Sequence, residues 1–260
     1  MLKIIAPALC CCLVTACATS PTGRSQFIYK SDSELNQMGL QAFDSLKKDK
    51  TQSKSSRHTQ FVNCVAEAIT YETGGHWEVV VFDDDSLNAF ALPGNKIGVH
   101  TGLINLVDNQ HQLAAVIGHE VGHVLARHSN ERMSQKSFIN TAIPLITAVS
   151  SPSSTLGKIA VGSLGIGAQY GLILPYSRIH EGEADIIGLD LMAKAGFDPR
   201  QSIDLWKKMG AASNNQQPAE FMSTHPSSNT RITELSEHMP KAMQFYQHTQ
   251  SIGKTPRCSK

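Results

Sequence analysis

The chain has 260 residues, 41% hydrophobic and 17% charged, with a formal net charge of +1. That composition fits a globular protein long enough to bury a sizeable core. Acids and bases are interspersed without a basic stripe or an internal repeat, which excludes nucleic acid as a partner and a solenoid as the architecture.

The first residues, MLKIIAPALCCCLVTAC, read as a targeting segment. Lys3 precedes an apolar run, Ile4–Ala16, that is too short to span a bilayer as a helix. VTAC resembles a bacterial lipobox, which would make residues 1–16 a lipoprotein signal peptide and Cys17 the lipidated residue. The alternatives are a plain signal peptide cut elsewhere or an uncleaved anchor. By resemblance to Gram-negative lipoproteins, Ala18 after the cysteine favours the outer membrane, with the chain lipid-anchored and facing the periplasm. Cys10, Cys11 and Cys12 leave with the signal, and Cys64 and Cys258 remain. In an oxidising compartment these two are expected to pair, the alternative being two free thiols. Neither has a C-x-x-C spacing, so neither is expected to bind metal.

Residues 17–30 read as a polar tether and residues 31–260 as the folded domain. A helix is predicted over 31–50 and another over 59–74, ending at Gly74 and Gly75. A strand follows over 76–85, then a hairpin or strand pair over 87–104 turning at Pro93–Gly94–Asn95. A long helix, with Asp108 as N-cap, is predicted over 108–132. Residues 133–177 are rich in Ser, Gly and Ala, and 19 uncharged residues separate Lys158 from Arg178. Their glycines, Gln and Pro favour buried or site-covering helices over a membrane span. Helices are predicted over 177–199, with Gly196 as the stop, over 199–212, and around Thr230–Met239, followed by a tail to Cys258.

The chemistry centres on HEVGH. His119 and His123 are four residues apart, hence on one helix face, and both imidazoles can reach one tetrahedral metal. Glu120 lies beside them, placed to take a proton from a water that such a metal activates. A catalytic zinc needs a third protein ligand and an open position. Ala126 and Ser129 stand where the metzincin pattern needs Gly and His, so that class is excluded. HEGEAD (180–185) offers a carboxylate instead. Glu181 would complete a His-His-Glu site, and Asp185 would orient a ligand histidine through its other ring nitrogen. Taken without HEVGH, Glu181, Glu183 and Asp185 would read as a solvated acidic face.

NAFALPGNKIGVHTGLI, QLAAVIGHEVGH, PYSRIHEGEADIIGLDLMAKAGFDP and STHPSSNTRI together resemble the HtpX/LoiP/BepA-type zinc peptidases of peptidase family M48, in their periplasmic lipoprotein branch. The resemblance spans roughly residues 20–240 and lacks the C-terminal helical repeats of some members. It implies an α+β, mainly helical fold: a gluzincin-type domain with a small sheet beside the HExxH helix. It implies one Zn2+ per chain on His119, His123 and Glu181, Glu120 as general base, and Asp185 behind a ligand histidine. It makes Asn88, Ala89 and Phe90 candidates for a strand that pairs with substrate backbone, the alternative being ordinary sheet residues. It also makes His225 and Arg231 candidates for oxyanion stabilisation, with His225 alternatively filling the open metal position at rest. The implied function is zinc-dependent endopeptidase action on misfolded or unassembled cell-envelope proteins. The competing readings are a holdase or assembly factor with a latent or structural zinc site, and a zinc hydrolase of a non-peptide bond.

Overall fold

Local capping and apolar spacing account for the first two helices. In this computed structural model, residues 17–150, 174–213, 225 and 229–260 are described. Helix α1 (Asp32–Asp49) has Asp32 and Glu34 in its first turn and Lys47 and Lys48 in its last, complementing the helix dipole. It buries Leu35, Gly39 and Phe43, one residue per turn on one face. Helix α2 (Ser56–Tyr71) starts three residues before the predicted Thr59, because Ser55 caps it by accepting from the His58 amide.

Three strands form one sheet: β3 (Glu78–Phe82), β4 (Ala89–Leu92) and β5 (Lys96–His100), in the order β3-β5-β4. β3 runs parallel and β4 antiparallel to the central β5. The β4–β5 turn falls at the expected Pro93–Asn95, with Gly94 at φ 83° and Asn95 at φ 62°, conformations that favour Gly and Asn. Residues 51–53 cover the outer side of β3: Ser53 donates to Val81 and Thr51 accepts from Asp83, both at 2.8 Å. β4 is therefore the sheet edge left open among the described residues. Residues 101–104, expected to extend the strand pair, begin helix α3 (Thr101–Leu106) instead. Gly102 donates to the Asp84 carbonyl and Thr101 exchanges two hydrogen bonds with the Asp84 backbone, which turns the chain out of the sheet.

Helix α4 (Gln110–Leu125) carries HEVGH. Asn109 rather than Asp108 caps it, accepting from the amides of His111 and Gln112. The predicted single helix over 108–132 is broken: Arg127 takes φ 54°, and helix α5 (His128–Ser150) starts anew. Helix α6 (Leu174–Lys194) ends at Gly196, φ 92°, as predicted, with the Phe197 amide donating back to Met192. Helix α7 is Arg200–Ser213 and helix α8 is Asn229–Ser251. α8 runs through Pro240, where it was expected to stop, because Ala242 and Thr249 beyond the proline are buried and Phe245 packs on the core. The signal segment 1–16 and most of the uncharged stretch after Lys158 lie outside the described residues. Among the described residues no helix is long and apolar enough to cross a membrane.

The chain divides into two units. The smaller comprises the residues up to Ser31 with Arg127–His180. In it residues 17–27, read as a tether, form an antiparallel pair, β1 (Cys17–Thr19) with β2 (Ser25–Phe27). The buried Glu131 carboxylate accepts from Arg24 at 2.8 and 2.7 Å and from Gln26 at 2.8 Å, and lies 3.1 Å from His180 Nε2. Burial opposes the charge on Glu131, but Arg24, His180 and Gln26 outweigh it and hold its pKa down to about 2.

The larger unit, Asp32–Ala126 with Glu181–Lys260, holds the main core, built on α2, the sheet, α4, α6 and α7. Here α4 and α6 meet backbone to backbone. A Cβ at Gly118 would stand 2.8 Å from the Gly188 carbonyl oxygen, one at Gly122 2.8 Å from that of Ala184, and one at Gly188 2.6 Å from the His119 nitrogen. Cys64 on α2 is bonded to Cys258 in the tail, closing a loop of 194 residues in sequence separation. Gln110, the first residue of α4, clamps the same tail by donating to the Pro256 carbonyl and accepting from the Cys258 amide.

Two outcomes are expected. Gly188→Ala forces the two helices apart and costs about 1–3 kcal/mol, as overpacking does; urea unfolding measures it. Reducing the disulfide costs about 2–5 kcal/mol, the usual range for a native bridge, read as a fall in the urea midpoint of wild type and absent in Cys64→Ser.

Candidate metal centre

The crossing of α4 and α6 sets the reach of every group in the site. His119 and His123 lie one turn apart on α4, and their Nε2 atoms are 3.1 Å apart. Glu181 on α6 faces both, Oε2 at 3.4 Å from His119 Nε2 and Oε1 at 3.4 Å from His123 Nε2. His225, ahead of α8, brings Nδ1 to 3.2 Å from His119 Nε2 and to 3.0 Å from Glu181 Oε2. One donor atom from each of these four side chains lies within 4.8 Å of all the others. Two nitrogens held on one tetrahedral zinc at about 2.0–2.1 Å are themselves about 3.3 Å apart. The separations therefore fit a shared small cation, and a donor set of three imidazoles and a carboxylate suits zinc.

The electrostatics agree. Burial opposes charge on His119, but Asp185 and Glu181 outweigh it and push its pKa up to about 9. Burial likewise opposes the Glu181 charge, yet the neighbouring imidazoles hold that carboxyl well below the usual range. The pocket is thus negative enough to hold positive charge where the histidine Nε2 atoms converge. Glu120, only 4% exposed, is shaped differently. Its Oε2 accepts from the Ala91 amide on β4 at 3.3 Å. Its Oε1 accepts no hydrogen bond among the described residues and points toward His225 Nε2, 3.4 Å away. Burial pushes the Glu120 pKa up.

Behind the donors, Asp185 Oδ1 lies 2.9 Å from His119 Nδ1, leaving Nε2 to face the centre. Arg231 fixes Asp185 in turn, donating from Nε at 2.6 Å and from Nη2 at 2.8 Å, and approaches Glu181 Oε2 at 3.2 Å. Arg231, expected as an oxyanion donor, is instead buried against two carboxylates, whose charges outweigh desolvation and raise its pKa.

The three edge-strand candidates separate. The Asn88 carbonyl accepts from the His100 amide inside the sheet, and the Phe90 ring packs on Phe43, Phe82 and Gly98. By antiparallel alternation, Ala89 and Ala91 turn their backbone groups away from β5, Ala89 being buried there and Ala91 partly exposed. Ala91 escaped the sequence reading because only the register, fixed by the turn, selects between neighbours. Trp206 on α7 also escaped it. Its face carries the Arg231 guanidinium, with Cζ 4.2 Å from the ring centroid, and it meets the His119 ring edge-on at 5.4 Å.

The sequence profile of Peptidase family M48 matches residues 52–239. The mitochondrial metalloendopeptidase OMA1 of Schizosaccharomyces pombe is 40% identical over 167 residues, which are 64% of this chain and 48% of that protein. The protein of the same name from Saccharomyces cerevisiae is 34% identical over 183 residues, 68% of this chain and 51% of that one. The beta-barrel assembly-enhancing protease of Yersinia pestis is 30% identical over 188 residues, 68% of this chain and 38% of that one. The chain thus spans about half the length of the two yeast relatives.

These relatives correct the expected location. A lipid-anchored protein of a Gram-negative outer membrane is overturned by the higher identity to proteins named mitochondrial. The physical reason is that a short apolar run with one basic residue records hydrophobicity and not a compartment. With the profile covering both HEVGH and HEGEAD, the chain belongs to peptidase family M48, a family of metallopeptidases.

Proposed function

We propose that the chain is a zinc-dependent endopeptidase that cleaves extended segments of unfolded or unassembled proteins. In this reading His119, His123 and Glu181 hold the metal, and Glu120 is the general base. The observation that carries it is Glu120: a buried carboxylate beside a four-donor group, with Oε2 anchored to the Ala91 amide of β4 and Oε1 accepting no hydrogen bond among the described residues. An unpaired buried acceptor costs stability, and it is retained where a reacting group will sit. The yeast relatives are named metalloendopeptidases, and the Yersinia relative is named for β-barrel assembly.

Zinc held by His119, His123 and Glu181 would supply Lewis acidity to a carbonyl and would lower the pKa of a water. Glu120 Oε1 takes the proton of the attacking water, and its raised pKa suits it to hand that proton to the departing amine. Asp185, held by Arg231, keeps His119 Nε2 turned to the centre. On the side of β4 away from β5, Ala91 is partly exposed and its carbonyl can accept from an extended peptide, which would add as a strand with little side-chain preference; Ala89 is buried and the Ala91 amide is held by Glu120.

One observation favours a resting state within this reading. His225 reaches His119, Glu181 and Glu120 at 3.0–3.4 Å, and so fills the position that a water or carbonyl needs. A site closed by four protein donors has no open position for substrate. His225 is therefore assigned as a resting ligand that yields to substrate, in preference to an oxyanion donor.

The full chain with zinc is expected to cleave unfolded casein, and a chelator to abolish the cleavage. Glu120→Gln is expected to lower the rate by about 10²–10⁴-fold, the usual contribution of a general base, while zinc content by atomic absorption stays at wild-type level. Unchanged function in Glu120→Gln would instead support a holdase. His225→Ala is expected to cleave faster than wild type; a rate two or three orders of magnitude slower would return His225 to oxyanion stabilisation.

A further inference from the structure

Trp206 stands outside every motif of the site, yet it touches both ends of the Asp185 relay. It is 3% exposed, and α7, which carries it, packs along α4. The Arg231 guanidinium lies over the indole face with Cζ at 4.2 Å, close enough for stacking and cation–π attraction. The same guanidinium spends Nε and Nη2 on Asp185 and brings Nη1 to Glu181. Asp185 meets His119 Nδ1, and the His119 ring returns to the edge of the same indole at 5.4 Å and 73°. Trp206, Arg231, Asp185 and His119 thus close a ring of contacts, in which the indole, like Asp185, touches both the cation and the imidazole.

A buried guanidinium needs its charge met and its plane held. Two carboxylates meet the charge. Their hydrogen bonds lie in the guanidinium plane and leave its faces to be packed, and Trp206 packs one of them. Removing the indole lets the plane tilt, which misaligns the fork on Asp185 and so the Nε2 lone pair of His119.

We propose that Trp206 is a positioning residue for the metal centre: it holds the Arg231 plane in register with Asp185, and through them it sets the orientation of His119. The inference rests on the metal-site reading above. It concerns affinity for the metal, so its test needs no turnover.

Zinc affinity of the full chain is measured by competition with a chromophoric chelator for wild type, Trp206→Phe, Trp206→Leu, Arg231→Gln and the double variant Trp206→Leu/Arg231→Gln. Groups behind a ligand histidine typically carry 10–100-fold in metal affinity. Trp206→Leu is expected to weaken zinc by about tenfold at the low end of that range, and Trp206→Phe, which keeps an aromatic face, by less. In the Arg231→Gln background, Trp206→Leu is expected to add almost nothing, because its effect travels through the guanidinium.

A second readout does not require Trp206→Leu to fold well. With Trp77→Phe removing the other tryptophan, the emission of Trp206 is expected to change on zinc titration, since its neighbour His119 becomes a ligand. Zinc affinity unchanged in both Trp206 variants overturns the proposal, as does full additivity of the two substitutions or an emission blind to zinc. A wild-type chain that binds no zinc overturns both this proposal and the reading beneath it, whereas zinc binding that ignores Trp206 overturns this proposal alone.

Discussion

The site depends first on how closely two helices approach. An ordinary helix pair sits 8–10 Å apart, axis to axis, with side chains filling the gap. On α4 and α6 the contact falls at Gly118, Gly122, Ala184 and Gly188, and a Cβ added at any of the three glycines would strike the facing backbone. Small residues spaced four apart on both helices clear that seam along two successive turns. Only then do side chains as short as His and Glu, projecting beside the seam, converge on a single point. Of these, Gly122 lies inside HEVGH and Ala184 inside HEGEAD. The motifs therefore carry the packing instruction together with the donors.

Close approach brings an electrostatic problem. Glu120, Glu181 and Asp185 are all buried within one small region. Each carboxylate is met differently. Asp185 is clasped by Arg231 and His119, Glu181 is surrounded by imidazoles, and Glu120 accepts one amide at Oε2 while Oε1 accepts no hydrogen bond among the described residues and lies 3.4 Å from His225 Nε2. The first two carboxyls are held below their usual range despite burial, while the third is raised. Environments that push neighbouring carboxyls apart assign them different tasks. In the proposed function the ionised pair supports a cation, and the raised carboxyl exchanges a proton.

Much of this was legible in the sequence, for a reason that limits it. Periodicity encodes which residues share a face, so His119 with His123 and Glu181 with Asp185 could be paired before any fold was known. Turn chemistry placed the β4–β5 corner and the end of α6. Features decided by tertiary contact were not legible. The break at Arg127 carries no Gly or Pro, and α8 crosses Pro240 because residues beyond it are buried. The cap moved from Asp108 to its neighbour Asn109, a choice between two equally good capping residues. The Glu131 cluster joins residues more than a hundred positions apart, and an apolar leader does not state its destination. Trp206 reads as one more core aromatic on an amphipathic helix, which it also is.

The strand edge and the proton acceptor are joined by one hydrogen bond, from the Ala91 amide to Glu120 Oε2. Alternation along β4 makes Ala91 one of the residues whose backbone groups face away from β5. In the proposed function, a peptide pairing with this edge has its main chain aligned beside the carboxylate that receives the proton. In that reading the strand that would recognise an extended chain also fixes the base that would act on it, so distance to the base would be set by sheet geometry and not by any substrate side chain. Such a site discriminates by conformation. On that reading a folded protein, whose backbone groups are already paired, would not add to the edge, whereas an unfolded segment of almost any sequence would.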